Sequence, residues 1–176
     1  MPIPVQTWVG GDEPIEEEFE SVSNCDDPPH KPDGGLWTST SFIRNGHTIS
    51  DWIQWLERNQ QYHESQVVYE LKPEKREYDI LCIDSYDQLR SVLSRYNRQS
   101  KSSSRKSELH GVFPSIDFEA ISDEYDAIHL TEKGQRETRL TNPGLYGWDA
   151  ETYLWFDWVF VDMIDSTPIT EVVNDV

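Results

Sequence analysis

An excess of 18 negative charges is the constraint against which this chain must fold. The 33 Asp and Glu residues outnumber 15 Lys and Arg, and they are scattered, as in Glu16-Glu17-Glu18, Asp26-Asp27, Asp123-Glu124 and Asp162. Such a chain repels itself in dilute buffer. Salt near 1 M shrinks the Debye length to about 3 Å and removes that penalty. A dispersed acidic surface is what a high-salt cytoplasm favours, so the expected setting is the cytoplasm of a halophile. The same charge suits an acidic nucleic-acid mimic. Both readings oppose direct DNA binding, because phosphate contacts need Lys and Arg.

Low hydrophobicity with high charge usually marks disorder. Seven Trp, eight Tyr and six Phe argue otherwise, since each aromatic ring can bury about 150–250 Å². A chain of 176 residues is the size of one domain with a true core, so residues 1–176 are read as a single domain. Met1-Pro2-Ile3-Pro4 lacks a basic start and an apolar stretch, so no secretory leader is expected. No run approaches 18 apolar residues, so no membrane span is expected and the reading is cytoplasmic. Cys82, inside an apolar run, reads as a small core residue. Five scattered His and two Cys suggest no structural zinc site, and no metal is expected.

Local signals point to an α+β fold: a mostly antiparallel twisted sheet, or sheets, with two to three short helices. Strands are expected at 5–9, 36–42, 66–71, 78–83, 127–130 and 152–161, with Asn45-Gly46 as a turn. Ser50 caps a helix to Asn59 that repeats Trp52, Ile53 and Leu56 at helical spacing. Ser85 and Gln88 fit a capping box for a second helix, and Asp117–Tyr125 reads as a third. Strands and helices do not alternate regularly, which favours α+β over a doubly wound sheet. Residues 12–34 read as an acidic, Pro/Gly-rich loop, and 131–147 as another. Residues 97–108 read as a polar, mobile insertion holding most of a basic cluster: Arg95, Arg98, Lys101, Arg105 and Lys106.

Two segments carry candidate chemistry. In Lys31-Pro32-Asp33-Gly34-Gly35-Leu36-Trp37-Thr38-Ser39-Thr40-Ser41, paired glycines let the backbone approach a ligand. Trp37 then offers a stacking face, and Thr38, Ser39 and Thr40 offer hydroxyls. In Gly147-Trp148-Asp149-Ala150-Glu151, the two carboxylates lie two residues apart and would share one face of a strand. Either one is mounted to orient a sugar hydroxyl.

These residues carry a resemblance. The Gly-Gly-Leu-Trp-x-Ser run, the Trp52-x-x-Trp55 helix, the entry Tyr125-Asp126-Ala127-Ile128 and the Gly-Trp-Asp turn resemble a family of uncharacterised tailed-virus and prokaryotic proteins. Their layout is similar to the mono-ADP-ribosyltransferase superfamily. Ser39-Thr40-Ser41 is similar to its Ser-Thr-Ser strand, and Asp149-Ala150-Glu151 to its Glu-x-Glu loop. The resemblance implies an ADP-ribosyltransferase-like fold with NAD as substrate and a protein as target. Trp37 or Tyr125 would hold the nicotinamide ring, and Ser39 would brace the site. Glu151, or Asp149 in its place, would stabilise the oxocarbenium ion. The first Arg in the chain is Arg44, so His30 or Lys31 would serve the NAD diphosphate. The competing expectation is a non-catalytic binding or virion-associated protein.

The charge balance makes a direct prediction. Circular dichroism across a KCl series should find the fold weakened at about 0.05 M salt and strengthened towards about 1 M and above. Full, unchanged stability at the lowest salt would contradict the reading of the acidic surface.

Overall fold

The fold turns on one strand, β2 (Leu36–Thr40), which lies at the middle of a seven-stranded sheet. The computed structural model describes residues 2–13, 18–25, 31–98 and 115–173. The other strands are β1 (Gln6–Gly10), β3 (Phe42–Arg44), β4 (His47–Ile49), β5 (Val67–Pro73), β6 (Ile80–Ile83), β7 (Ala127–Leu130), β8 (Thr152–Trp155) and β9 (Phe160–Pro168). The large sheet runs β6-β7-β8-β2-β1-β5-β9, and β3 and β4 form a separate hairpin. Among the described strands only β6 and β7 pair in parallel. A parallel pair needs a long crossover, and here it includes helices α2 (Tyr86–Arg95) and α3 (Phe118–Ser122). The protein is thus α+β with a mostly antiparallel mixed sheet.

Burial follows the two-residue period of the strands. Leu81, Ile83, Ile128, Leu130 and Leu154 pack with α2 and α3 through Leu89, Val92, Phe118 and Ile121. Ile80, Ala127, Leu36, Tyr153 and Trp155 turn to the opposite cluster with Tyr69, Leu71 and Phe160. A third cluster joins helix α1 (Asp51–Asn59) to α5 (Ile169–Val173) through Ile49, Ile53, Leu56, Val68 and Ile169. Among the described residues no helix is long and apolar enough to cross a membrane.

Several local readings hold. Ser50 caps α1 by accepting from the Ile53 amide, and Ser85 caps α2 by accepting from Gln88. Gln88 reaches back to the Asp84 amide rather than to that of Ser85. Asn45 and Gly46 both take positive φ, at 52° and 87°, and close the β3–β4 hairpin. Asn97 and Arg98 pair with Ile116 and Ser115, while residues 99–108 of the basic insertion lie outside the described residues.

Four expectations are corrected. The described residues form five helices, not two or three. One of them, α4 (Glu132–Thr138), lies in the expected loop at 131–147 and is capped by Thr131. Packing demands its Gly134: a Cβ there would lie 2.0 Å from the Ile83 carbonyl oxygen. The single aromatic strand at 152–161 is two strands, because the chain leaves β8 after Trp155 and re-enters at the far edge as β9. Cys82 is exposed. It lies on the edge strand β6, where alternation sends Leu81 and Ile83 to the helix-covered face and turns Cys82 away from it.

Candidate active site

Glu151 collects the strands of the site onto one carboxylate. Strand β2 changes partners midway: Leu36, Trp37 and Thr38 pair with β8, whereas Ser39 and Thr40 pair with β1. Continuing the β8 register past Thr38 would set Glu151 opposite Thr40. Instead of a ladder bond, the Thr40 amide donates to Glu151 Oε2 at 2.8 Å, and Ser39 Oγ donates to the same oxygen at 2.7 Å. Thr40 Oγ1 donates to Oε1 at 2.8 Å, and His129 Nε2 lies 2.8 Å from that oxygen. A carboxylate offers about four lone-pair sites, and all four are taken.

These bonds overcome burial. Glu151 is 7% exposed. Burial pushes its pKa up, but hydrogen bonds from His129, Ser39 and the Thr40 amide outweigh this and hold it below the usual carboxylate value. His129 shows the complementary effect. Burial pulls its pKa down, while the Cys82 thiol and Glu151 carboxylate raise it above the ordinary imidazole value. The His129 ring stacks on Tyr153 with centroids 3.8 Å apart, and burial and the Glu151 charge push the Tyr153 phenol far up.

Beside this cluster is a cavity of about 310 Å³ lined by Thr7, Trp8, Val9, Lys31, Pro32, Trp37, Thr38, Trp52, Asp149 and Thr152. It lies at the small end of the range for ligand pockets. Trp37 is held by its indole N–H on the Gly34 carbonyl (3.2 Å) and by an edge contact with Trp148. The Lys31 ammonium lies 4.3 Å above the Trp37 ring. Burial lowers the Lys31 pKa, and Asp149 counters that effect. The other wall carries Trp52, stacked on Trp55 at 5.0 Å. Near the carboxylate, Asp51 at the start of α1 has its pKa raised by burial and by Glu132 and Glu151.

The expected site residues meet only in part. Ser39, Thr40 and Glu151 form one cluster, and Trp37, Thr38, Lys31 and Asp149 line the adjoining cavity. Thr38 spends its hydroxyl internally, donating to Gln6 and accepting from Trp155. Asp149 and Glu151 do not share a face: both precede β8, and Asp149 turns to Arg139 at 3.3 Å while Glu151 turns inward. Tyr125 packs at the edge of Tyr96 and borders a different cavity, one shared with Leu81 and Cys82. His30 lies outside the described residues. The paired glycines serve the chain itself. Both have positive φ, and a Cβ would lie 2.4 Å from the Ser21 oxygen at Gly34 and 2.5 Å from Leu154 at Gly35.

Sequence reasoning missed His129 and Asp51. His129 alternates with the apolar residues Ile128 and Leu130, and that pattern alone marks it as facing away from them. No family model, curated protein or solved structure matches this chain.

The geometry separates two substitutions. Glu151→Ala orphans the Thr40 amide and breaks a buried pair, so it should cost about 3–5 kcal/mol in urea unfolding. Glu151→Gln can accept from the Thr40 amide and donate to a neutral His129, so it should fold. The charge-pair contribution of the wild type has a defined window. The Glu151 part is lost as pH falls through its lowered pKa, and the His129 part as pH rises through its raised pKa. NMR titration of His129 should find its pKa raised in wild type and lower in Glu151→Gln. An unchanged titration would contradict the contact.

Proposed function

We propose that this chain is an NAD-dependent transferase of the mono-ADP-ribosyl type, acting in high salt in a halophilic archaeon or its virus. One observation carries the reading: Ser39 and Glu151, 112 residues apart, are joined by a 2.7 Å hydrogen bond next to a tryptophan-lined cavity. Trp37 offers a face for the nicotinamide ring, and Lys31 supplies a cation within reach of a diphosphate. Glu151 is ionised at neutral pH, as a carboxylate facing a developing oxocarbenium ion must be. For a ribose hydroxyl to reach it, one resident donor must leave. The Ser39 and Thr40 hydroxyls are the replaceable ones, since rotation about one bond frees either. Asp149, paired with Arg139, is the weaker candidate for the key carboxylate.

A second reading, a non-catalytic binding or virion-associated protein, draws on β9. That edge strand exposes Val161, Met163 and Ile164, and exposed apolar edge strands invite pairing with another chain.

Calorimetry and nicotinamide release, both in high KCl, test the transferase. Glu151→Gln should bind NAD nearly as wild type while turnover falls about a hundred- to thousandfold. Trp37→Ala should instead weaken binding, because stacking serves ground state and transition state alike. Absence of NAD binding by the wild type at every salt concentration would end this reading and leave the binding protein.

A further inference from the structure

Glu151 has a second neighbour line that the transferase reading does not use. Strands β6 and β7 run parallel with Cys82 directly across from His129. Adjacent strands lie about 4.8 Å apart, and both residues point away from the helix-covered cluster that holds Leu81, Ile83, Ile128 and Leu130. Next in line, His129 Nε2 contacts Glu151 at 2.8 Å. A nitrogen facing an ionised carboxylate carries the hydrogen, so in neutral His129 the other ring nitrogen, Nδ1, is the proton acceptor. Tyr153 stacks flat beneath the ring at an interplanar angle of 11° and fixes its plane. The thiol end of this line is exposed and the carboxylate end is buried. A nucleophile, a base and a group that orients the base need this order.

We propose that Cys82, His129 and Glu151 form a thiol acyl-transfer site, with Cys82 the nucleophile, His129 the general base and Glu151 the positioning residue. The substrate class is a small activated acyl compound, an ester or thioester. Cys82 Sγ forms a bond to the carbonyl carbon as its proton passes to His129. The bond from that carbon to the leaving oxygen or sulfur then breaks, and the leaving group takes the proton back. Water, deprotonated by His129, cleaves the thioester on Cys82 and restores the thiol, with no change of oxidation state. Cys82 itself borders a cavity of about 230 Å³ with Leu81, Val92, Tyr96 and Tyr125, which offers room for a small acyl group. The interaction of the thiol with His129 also contributes to the raised imidazole pKa.

The site stands independently of NAD. The test uses the full chain in high KCl with p-nitrophenyl acetate as acyl donor, and separately with iodoacetamide. Peptide mass spectrometry compares Cys82 with Cys25 in the same molecule. Wild type should release p-nitrophenolate and carry a hydroxylamine-sensitive acetyl group on Cys82, and Cys82 should be alkylated faster than Cys25. Cys82→Ala should abolish both effects, and Cys25→Ser should leave them unchanged. His129→Gln should slow acylation about a hundredfold or more. Glu151→Gln should lower the Cys82-to-Cys25 alkylation ratio, which a general loss of stability would not do selectively. Circular dichroism checks that each variant folds. If His129→Gln unfolds, the wild-type ratio and Cys82→Ala still decide. Acylation at Cys25 alone, or Cys82 alkylated no faster than Cys25, would overturn the proposal.

Discussion

A buried carboxylate in a chain with 18 surplus negative charges is held only if its neighbours supply the positive ends of dipoles. Glu151 finds two hydroxyls, one amide and one imidazole, drawn from strands β2 and β7. The Thr40 amide matters most, because a backbone N–H cannot rotate to another acceptor. It becomes available where β2 stops pairing with β8 and starts pairing with β1. The split in the sheet and the buried acid are therefore one feature. The divergence of the strands leaves donors unpaired, and the carboxylate fills the gap.

Everything proposed for the site extends from that anchor. Glu151 fixes His129, whose ring lies between Tyr153 and the edge-strand thiol. On its other side, Thr38 and Thr152 continue into the cavity where Lys31 lies over Trp37 and Asp149 faces it. Lys31 is a desolvated cation in an acidic protein. Among the described residues an aromatic face and one nearby carboxylate keep it there. Both proposed chemistries use the same ionised carboxylate, one through its charge and the other through the imidazole it orients.

Much of this architecture was legible in the sequence where the cause is local. Ser50, Ser85 and Asn45-Gly46 act through neighbours within a few residues, and they cap and turn the chain as read. The pairing of Ser39 with Glu151 was legible only through a resemblance, since nothing local links residues so far apart. What stayed hidden depends on partners distant in sequence. Gly134 is required only because the Ile83 carbonyl lies against it. The aromatic run at 152–161 has one strand-like pattern, and only its two destinations in the sheet divide it. His129 sits alone among apolar neighbours, and its role appears once β7 lies between Cys82 and Tyr153.

The central claim is that Glu151 holds the Thr40 amide where the sheet divides. Amide hydrogen exchange of Thr40 in high salt tests it most directly. In the wild type this amide should exchange as slowly as core amides such as Leu71 and Ile128, opening only with global unfolding. In Glu151→Ala, Thr40 should exchange far faster than those amides do in the same variant. Rapid exchange of Thr40 in the wild type, or protection unaffected by loss of the carboxylate, would contradict the account.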